Sequence, residues 1–327
     1  MPVGGLLEPA RVTSSTARAG RGLSVNFPSR VLTSTSLVAV LLASPPTPVP
    51  TDAVGFAQAT ATWHAEREKR LAADDGWLTL VALLWLKEGD NVAGSGAGAT
   101  VVFPAKAPVR LGVFRRSGQQ VSFQPEPGVV VTLRSGRPFT GGVLASDSKG
   151  GVPDVLEAGG LRFQVIVRGD RVGLRVKDPD APKRRDFRGI PSYPADAKWR
   201  ITARWEPAAA GTFITVPNIL GTVDQSPSPG MAVFTVDGQE YRLTPVLEEG
   251  ETRLFFVFAD ATNRTETYGA GRFLYADPPT NGSVVLDFNR AYNPPCAFSA
   301  YATCPLPPKQ NRLPLAISAG EKRAGEH

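Results

Sequence analysis

The chain has 327 residues, of which 42% are hydrophobic, and it carries a formal net charge of +6. A chain of this length and apolar content can bury a core in one large or two medium-sized domains. Half of the charge comes from residues 1–50, which hold four arginines and one glutamate. The remainder is only mildly basic and has no stripe of Lys and Arg interleaved with aromatic residues, so nucleic-acid binding is not expected.

The first 50 residues have the order of an export signal. Arginines come first, then the apolar run 31–43, then the proline-rich segment 44–50. This run is too short for a stable membrane anchor, and no second long apolar run follows, so no stable membrane span is predicted. The 30 residues before the run are unusually many for a signal, and an early start codon or a non-cleaved, disordered tail explains them equally well. Periplasmic or extracellular export and a cytoplasmic location therefore both stay open.

One amphipathic helix is predicted after this tail, over residues 56–73. The segment contains no Gly or Pro and places Phe56, Ala59, Trp63 and Leu71 along one face. Short runs rich in Val, Leu, Phe and Thr follow, separated by Gly, Pro, Asp and Asn every eight to twelve residues, as is typical of strands. The first series of predicted strands is 78–86, 100–103, 109–115, 120–124, 129–133, 161–168 and 171–177. The second series is 198–205, 212–216, 231–237, 240–245, 253–259, 271–275 and 283–288.

The fold class that follows is mainly β, with two packed antiparallel halves of barrel or sandwich type and the N-terminal helix. The expected organisation is a signal-like or disordered tail over 1–55, an N-terminal β half over 56–180 and a C-terminal β half over 181–327. No fixed-period repeat and no alternation of strands and helices occurs.

Few residues are available for familiar catalytic chemistry. The chain has two histidines, and one of them, His327, is the last residue. The other, His64, lies on the predicted helix outside the β halves, which argues against a Ser-His-Asp triad. Two cysteines and one credible histidine do not make a tetrahedral zinc site. A hard-metal site built from acidic residues alone stays open, but no calcium-loop motif supports one, and neither a metal nor a cofactor is predicted. The glycine-rich segment 94–99 fits neither common phosphate-loop pattern.

Residues 287–313 are predicted to form a rigid, irregular loop, because they hold five prolines and both cysteines. Cys296 and Cys304 are eight positions apart, each beside a proline. In an exported protein a disulfide is the simpler interpretation. In a cytosolic one, two thiols near Arg290 and Arg312 would act as a redox pair or a nucleophile, although the spacing is not C-x-x-C.

Basic residues concentrate in 168–188, with eight Lys or Arg against four Asp. Arg171, Arg175 and Lys177 alternate along one predicted strand and so project to the same side. If this side lines a barrel mouth, the three side chains would form a binding site for a carboxylate or phosphate. If it faces water, they are an ordinary solvated surface.

A second polar group lies at the end of the chain's last strands. Arg272 begins an apolar strand, and Asp287 lies on its expected partner strand, which suggests a structural ion pair. Alternatively, Tyr268, Arg272, Asp287 and Asn289 form a polar floor beneath the proline-rich loop.

Several motifs together resemble the bacterial and archaeal family known as domain of unknown function 1684 (DUF1684). They are Gly76–Leu80, Trp85–Asn91, Val165–Arg171, Arg175 with Asp178, Thr267–Leu274, and the loop 287–312 that leads to Ala319-Gly320-Glu321. The resemblance covers about Trp63 to Lys322, with Ala82 and Val172 standing where Gly and an aromatic residue are expected. It implies kinship without a reaction or a cofactor. Family members are mostly soluble and share the cysteine loop, so the resemblance does not imply an obligatory disulfide.

The N-terminal half also resembles the small phosphothreonine-reading β-sandwiches, in architecture only.

Three functions remain in competition at this point. The leading hypothesis is a soluble β protein that binds a small anion. Its expected ligand-binding residues are Arg171, Arg175, Tyr268, Arg272, Asp287, Asn289, Asn293, Tyr301, Asn311 and Arg312. The second is a histidine- and metal-independent hydrolase or isomerase that uses Asp287, Tyr268 or Cys296. The third is a protein-interaction module that displays the loop 294–308. The oligomeric state is left open by all three.

Overall fold

The structure, a computed structural model, describes residues 52–324. The predicted export signal and residues 1–51 of the predicted tail lie outside the described part, whereas residues 53–55 of that tail are helical. The chain begins there with helix α1 (Ala53–Leu71), close to the predicted helix. The Asp52 side chain caps it by accepting a hydrogen bond from the Gly55 amide at 2.7 Å, and Lys69 and Arg70 lie in its last turn, where cations are favoured. No helix within residues 52–324 is long and apolar enough to cross a membrane.

Most of the remaining chain is strand. The strands up to residue 177 are β1 (Leu80–Trp85), β2 (Gly89–Gly94), β3 (Val101–Val102), β4 (Gly112–Ser117), β5 (Gln120–Pro125), β6 (Thr132–Leu133), β7 (Gly142–Leu144), β8 (Leu156–Ala158), β9 (Leu161–Arg168) and β10 (Arg171–Lys177). After the short helix α2 (Pro182–Arg185) come β11 (Arg200–Pro207), β12 (Phe213–Pro217), β13 (Val223–Pro227), β14 (Gly230–Val236), β15 (Gln239–Leu243), β16 (Leu254–Phe258), β17 (Arg272–Ala276) and β18 (Ser283–Asp287).

Two five-stranded sheets enclose the first core. Their orders are β3-β2-β4-β5-β7 and β1-β10-β9-β8-β6, and all pairs except β2 with β3 are antiparallel. Buried side chains from both sheets form one cluster between residues 82 and 176. At its centre Phe114 and Phe123 stack at 4.2 Å between ring centroids, and Phe163 meets them edge-on at 6.0 and 6.1 Å. Two open sheets that share a core form a sandwich. The mainly β prediction is therefore confirmed, and of its two alternatives the structure has the sandwich and not the closed barrel.

The second core lies between residues 199 and 319. A four-stranded sheet of order β15-β14-β11-β18 contributes one side, and the β16–β17 pair contributes the other. Phe288, which follows β18, is fully buried there and contacts Trp199, Phe234 and Phe258 at centroid distances of 6.3, 5.8 and 5.6 Å. A boundary near residue 180 between two halves stays a prediction.

Residues 294–308, which we call the proline loop, pack between these two cores. Ala302 and Cys304 join the apolar cluster around Phe255 and Phe273 of the β16–β17 pair. Phe298 joins a separate cluster with Leu71, Leu78 and Ile190, which we call the seam cluster. The loop is therefore largely built into the protein and is not displayed as a free segment.

Candidate functional site

A cleft of about 1400 Å³ lies between α1, the ends of β9 and β10, the strands β16 to β18 and the proline loop. Seven arginines line it, namely Arg67, Arg70, Arg168, Arg175, Arg200, Arg253 and Arg290. Five carboxylates line it as well, namely Glu66, Asp75, Glu248, Asp277 and Asp287. The lining therefore carries an excess of positive charge.

One side of the cleft is a wall of stacked aromatic rings. Phe255 stacks on Tyr275 at 4.8 Å, Tyr275 on Tyr292 at 6.4 Å, and Trp63 of α1 meets Tyr292 at 6.3 Å. We call these four residues the aromatic wall. Tyr292 is held beside β17 by two backbone hydrogen bonds with Phe273, of 2.8 and 2.9 Å. The irregular end of the chain is thus fixed as if it were a further strand.

Two arginines lie on the aromatic wall. The guanidinium of Arg253 is 4.5 Å from the centre of the Tyr275 ring, and that of Arg67 is 4.7 Å from the centre of the Tyr292 ring. Burial raises the pKa of both tyrosines, so their phenols stay neutral and remain good cation–π partners. The Tyr275 hydroxyl donates to the Glu248 carboxylate. The wall therefore presents oriented guanidinium groups along an apolar surface.

Most arginines of the cleft already have a carboxylate partner. The pairs are Arg67 with Glu321 at 3.7 Å, Arg70 with Glu66 at 3.9 Å, Arg168 with Asp147 at 2.8 Å, Arg253 with Glu251 at 3.3 Å and Arg290 with Asp287 at 3.4 Å. Among the described residues, no carboxylate lies within 4.0 Å of Arg175 or the exposed Arg200.

Arg175 differs from the other arginines because it is both partly buried and unpaired. Its Nε is buried without a hydrogen-bond partner among residues 52–324, and its guanidinium lies 4.9 Å from the centre of the Trp77 ring. Burial, and next the charge of Arg168, lowers the pKa of Arg175 to about 10. The group is still a cation at neutral pH, in a position where its charge is incompletely solvated.

Both cysteines are free thiols, and Cys304 lies near Arg175. The backbone N–H of Cys296 donates to the Cys304 sulfur at 3.2 Å, and Cys304 lines the cleft. A hydrogen bond from the Cys304 thiol lowers the pKa of Cys296, and the same contact, together with burial, raises the pKa of Cys304. The Tyr268 hydroxyl donates to the Cys296 carbonyl at 3.0 Å. The pair is therefore asymmetric, with Cys296 as the more acidic thiol.

Of the residues predicted to bind a ligand, Arg175 and Asp287 line the cleft. Arg171 projects from the same face of β10 but stacks on Trp85 at 3.9 Å, outside the cleft. Tyr301 and Arg312 are exposed elsewhere on the surface.

Arg272 is fully buried, and its partners are internal. It bonds to the Asp260 carboxylate at 2.7 Å and to the carbonyls of Ile317, at 3.0 Å, and Ala319. The ion-pair partner of Arg272 is therefore Asp260 and not Asp287, which pairs with Arg290 instead.

Three predicted asparagines are also buried, and each bonds to the backbone of a distant segment. Asn311 accepts from the Thr244 amide at 2.9 Å and donates to the Thr244 carbonyl at 2.8 Å. Asn289 makes the same pair of bonds with Asp196, and Asn293 donates to the Lys322 carbonyl at 2.8 Å. These side chains fix the loops around the cleft and do not reach into it.

Local sequence patterns do not single out Arg67, Arg253 or Tyr275, and they give Trp77 only as part of the Gly76–Leu80 motif. These residues reach the cleft because α1, the turn before β1 and the β16–β17 pair converge there in the fold. Within residues 52–324, no group of three or more His, Cys, Asp or Glu side chains is arranged to hold a metal ion.

A mainly β sandwich-type protein with an arginine-lined cleft is the class that this fold and site define. Residues 185–322 of the chain match the model of the family described as protein of unknown function (DUF1684). This confirms the family resemblance over these residues, which include Phe255, Tyr275 and Tyr292 of the aromatic wall and the whole proline loop.

Two solved structures are similar to parts of the chain. The solution NMR structure of an uncharacterised protein of Haloarcula marismortui is 30% identical, covers 46% of this chain and 85% of its own, and has a TM-score of 0.38. The crystal structure of the FhaA FHA domain, complexed with the intracellular domain of Rv3910, is 20% identical, covers 29% and 97%, and has a TM-score of 0.21. At these TM-scores neither structure adds an argument about fold or function. No curated protein matches the chain.

Proposed function

We propose that the cleft binds a small anionic ligand and that Arg175 is its central contact. The observation that carries this proposal is the unpaired, partly buried guanidinium of Arg175. A desolvated charge without a partner is unfavourable, and an anion that enters the cleft would offset that cost. Arg168, whose charge also lowers the pKa of Arg175, already has Asp147 at 2.8 Å and so does not need the ligand.

The geometry of the arginines favours a carboxylate or phosphate as the charged group. A guanidinium presents a planar fork of N–H donors that matches either group bidentately, and stacking on a ring fixes the plane of that fork in advance. Arg175 on Trp77, Arg253 on Tyr275 and Arg67 on Tyr292 are all held in this way. The entropy lost on binding is correspondingly smaller.

The size of the cleft supports a ligand with an apolar body as well as a charge. Its volume of about 1400 Å³ exceeds what a bare phosphate or acetate would fill. The aromatic wall offers an apolar surface on which such a body would lie, as in ligand sites that combine apolar lining with a few polar contacts.

The test is a thermal-shift screen of the purified protein against metabolite carboxylates and phosphates. A ligand present at 100 times its dissociation constant adds ~2.7 kcal/mol to the free energy of unfolding. We expect Arg175→Gln to remove this stabilisation. Arg171→Gln is the matched control, because Arg171 lies on the same face of β10 but outside the cleft. Equal stabilisation of both variants and the parent protein would contradict the proposal.

A further inference from the structure

We propose that Cys296 and Cys304 are a reversible redox pair that closes to a disulfide when a hydroperoxide oxidises Cys296. Cys304 lines the same cleft as Arg175, but the inference does not depend on whether the cleft binds an anion. It assigns different roles to the two thiols, with Cys296 as the attacking sulfur and Cys304 as the sulfur that resolves the product.

The first support is the contact between the two residues. The 3.2 Å hydrogen bond from the Cys296 amide to the Cys304 sulfur brings the two residues together in the native fold. They share one apolar cluster with Phe255 and Phe273. A disulfide needs its two Cα atoms within ~7 Å, and a Cys304 sulfur that already lies 3.2 Å from the Cys296 amide nitrogen leaves mainly side-chain rotation to close the bond.

The second support is that the backbone is fixed on both sides of the pair. The Cys296 carbonyl accepts from the Tyr268 hydroxyl at 3.0 Å, and the Cys304 carbonyl accepts from the Ile219 amide at 3.0 Å. The Leu306 amide then donates to the Pro217 carbonyl at 2.7 Å. Between the two cysteines, Phe298 and Ala302 are buried. The contact between the Cys296 amide and the Cys304 sulfur is therefore held in place by the surrounding fold.

The third support is the asymmetry in exposure and acidity. Cys304 is 4% exposed, whereas Cys296 is only partly buried. The Cys304 thiol donates to the Cys296 sulfur, which stabilises the Cys296 thiolate, and the thiolate is the form that reacts. Peroxide-sensing cysteines in general are accessible, acidic and next to a resolving thiol, as Cys296 is.

The reaction balances in two steps. The Cys296 thiolate attacks the outer oxygen of the hydroperoxide, the O–O bond breaks, and the products are the Cys296 sulfenic acid and an alkoxide that takes up a proton from water. The Cys304 sulfur then attacks the sulfenic sulfur, the S–O bond breaks, and the Cys304 proton leaves with the oxygen as water. Two thiols are oxidised to one disulfide, one hydroperoxide is reduced to an alcohol, and a dithiol reductant reverses the change by exchange.

The test uses the reduced full-length protein and hydrogen peroxide at slight excess. We expect both free thiols to disappear together, with an intact mass lower by two hydrogens, and dithiothreitol to restore both. The fraction of oxidised protein that carries the intramolecular disulfide should not depend on protein concentration, because the second thiol belongs to the same molecule. Loss of one thiol without the other, accumulation of oxygen adducts on both, or covalent dimers in place of the mass loss would overturn the proposal.

Single variants test the assigned roles. In Cys304→Ser we expect a sulfenic acid at Cys296 that dimedone traps in high yield. In Cys296→Ser we expect Cys304 to react at least tenfold more slowly with the same amount of peroxide. The reverse order would overturn the assignment of Cys296 as the attacking sulfur. The wild-type measurement stands by itself if either variant fails to fold.

Discussion

Glu321 is a carboxyl group buried against a cation, and its environment makes the stability of the protein depend on pH. It is fully buried, accepts a hydrogen bond from the Asn293 amide at 2.7 Å and lies 3.7 Å from the Arg67 guanidinium. Burial outweighs the attraction of Arg67 and raises the pKa of Glu321 from 4.5 to about 7. The protonated form therefore predominates in the folded protein at mildly acidic pH.

The sign of the pH effect follows from this raised pKa. Between pH 4.5 and 7 the folded protein holds the Glu321 proton more tightly than the unfolded chain, so the contribution of this group to stability is complete below pH 4.5 and is lost as pH rises through 7. The loss amounts to roughly 3 kcal/mol at 1.36 kcal/mol per unit. We expect Glu321→Gln, measured by denaturant unfolding across this range, to remove it. The exposed Glu251→Gln is the control, and a Glu321→Gln profile parallel to that of the parent would contradict the prediction.

Single residues also show where sequence patterns stop being informative. The alternation of residues along β10 correctly gives Arg171 and Arg175 the same side of the strand. It does not predict what each arginine contacts. Arg171 stacks on Trp85, outside the cleft, and Arg175 stacks on Trp77, inside it. Similarly, the position of Arg272 at a strand start suggested an ion pair but not Asp260 as the partner, which lies on a loop.

At the scale of elements, α1 is fixed to the protein by polar contacts from one face. His64 bonds to the Asn289 carbonyl at 2.9 Å, Arg67 donates to the Asn293 carbonyl at 3.1 Å, and the Glu68 carboxylate accepts from the Ile190 amide at 2.7 Å. Burial lowers the pKa of His64, in keeping with a packed position. The amphipathic pattern predicts the helix but not this set of partners, all of which lie more than 100 residues further along the chain.

The contact of Glu68 gives a prediction for this element. In Glu68→Ala the Ile190 amide loses a charged acceptor, and a hydrogen bond of that kind contributes about 1.5–3 kcal/mol. We expect denaturant unfolding to show a loss of that order. Glu66→Ala is the matched control on the same helix, because the Glu66 side chain is 63% exposed, and it should change stability by less than about 0.5 kcal/mol. Equal losses in the two variants would show that the Ile190 contact does not stabilise the docked helix.

Strands differ in how far the sequence predicts them. The hairpin of β9 and β10 is predicted with its observed bounds, because two apolar runs flank a short turn at Gly169. The β14–β15 turn is equally clear, since Asp237 and Gly238 adopt positive φ values of 50° and 80°, as a two-residue hairpin of this type requires. By contrast, β2 (Gly89–Gly94) contains Gly, Asp and Asn and is missed; its pairing with β4 and the Asn91 side chain, which bonds to the Lys87 backbone, hold it in place.

At the scale of the whole molecule, the cleft exists because distant parts of the chain meet at the proline loop. Arg168 of β9 donates to the Thr303 hydroxyl at 3.0 Å, Lys183 of α2 to the Phe298 carbonyl at 3.2 Å, and Ser299 to the Leu80 carbonyl at 3.1 Å. Composition and strand spacing predict a mainly β fold, but such spacing carries no information on which loop joins the two cores. The cleft could not be predicted for the same reason, because its arginines come from both sides of that junction.

The seam cluster should therefore couple the unfolding of the two cores. Phe298 is 1% exposed and packs with Leu71, Leu78 and Ile190, which come from α1, the turn before β1 and the segment after α2.

Truncation of a buried Phe to Ala costs about 3–5 kcal/mol. By calorimetry we expect one transition for the parent protein and, for Phe298→Ala, a lower midpoint with two resolved transitions, because α1, the turn before β1 and the segment after α2 then lose the apolar contact that the proline loop makes with them. Tyr301→Ala is the control within the same loop, since Tyr301 is 41% exposed, and it should leave the single transition in place. If Phe298→Ala still unfolds in one transition at the parental midpoint, the proline loop is not what joins the cores, and the proposed boundary near residue 180 loses its support.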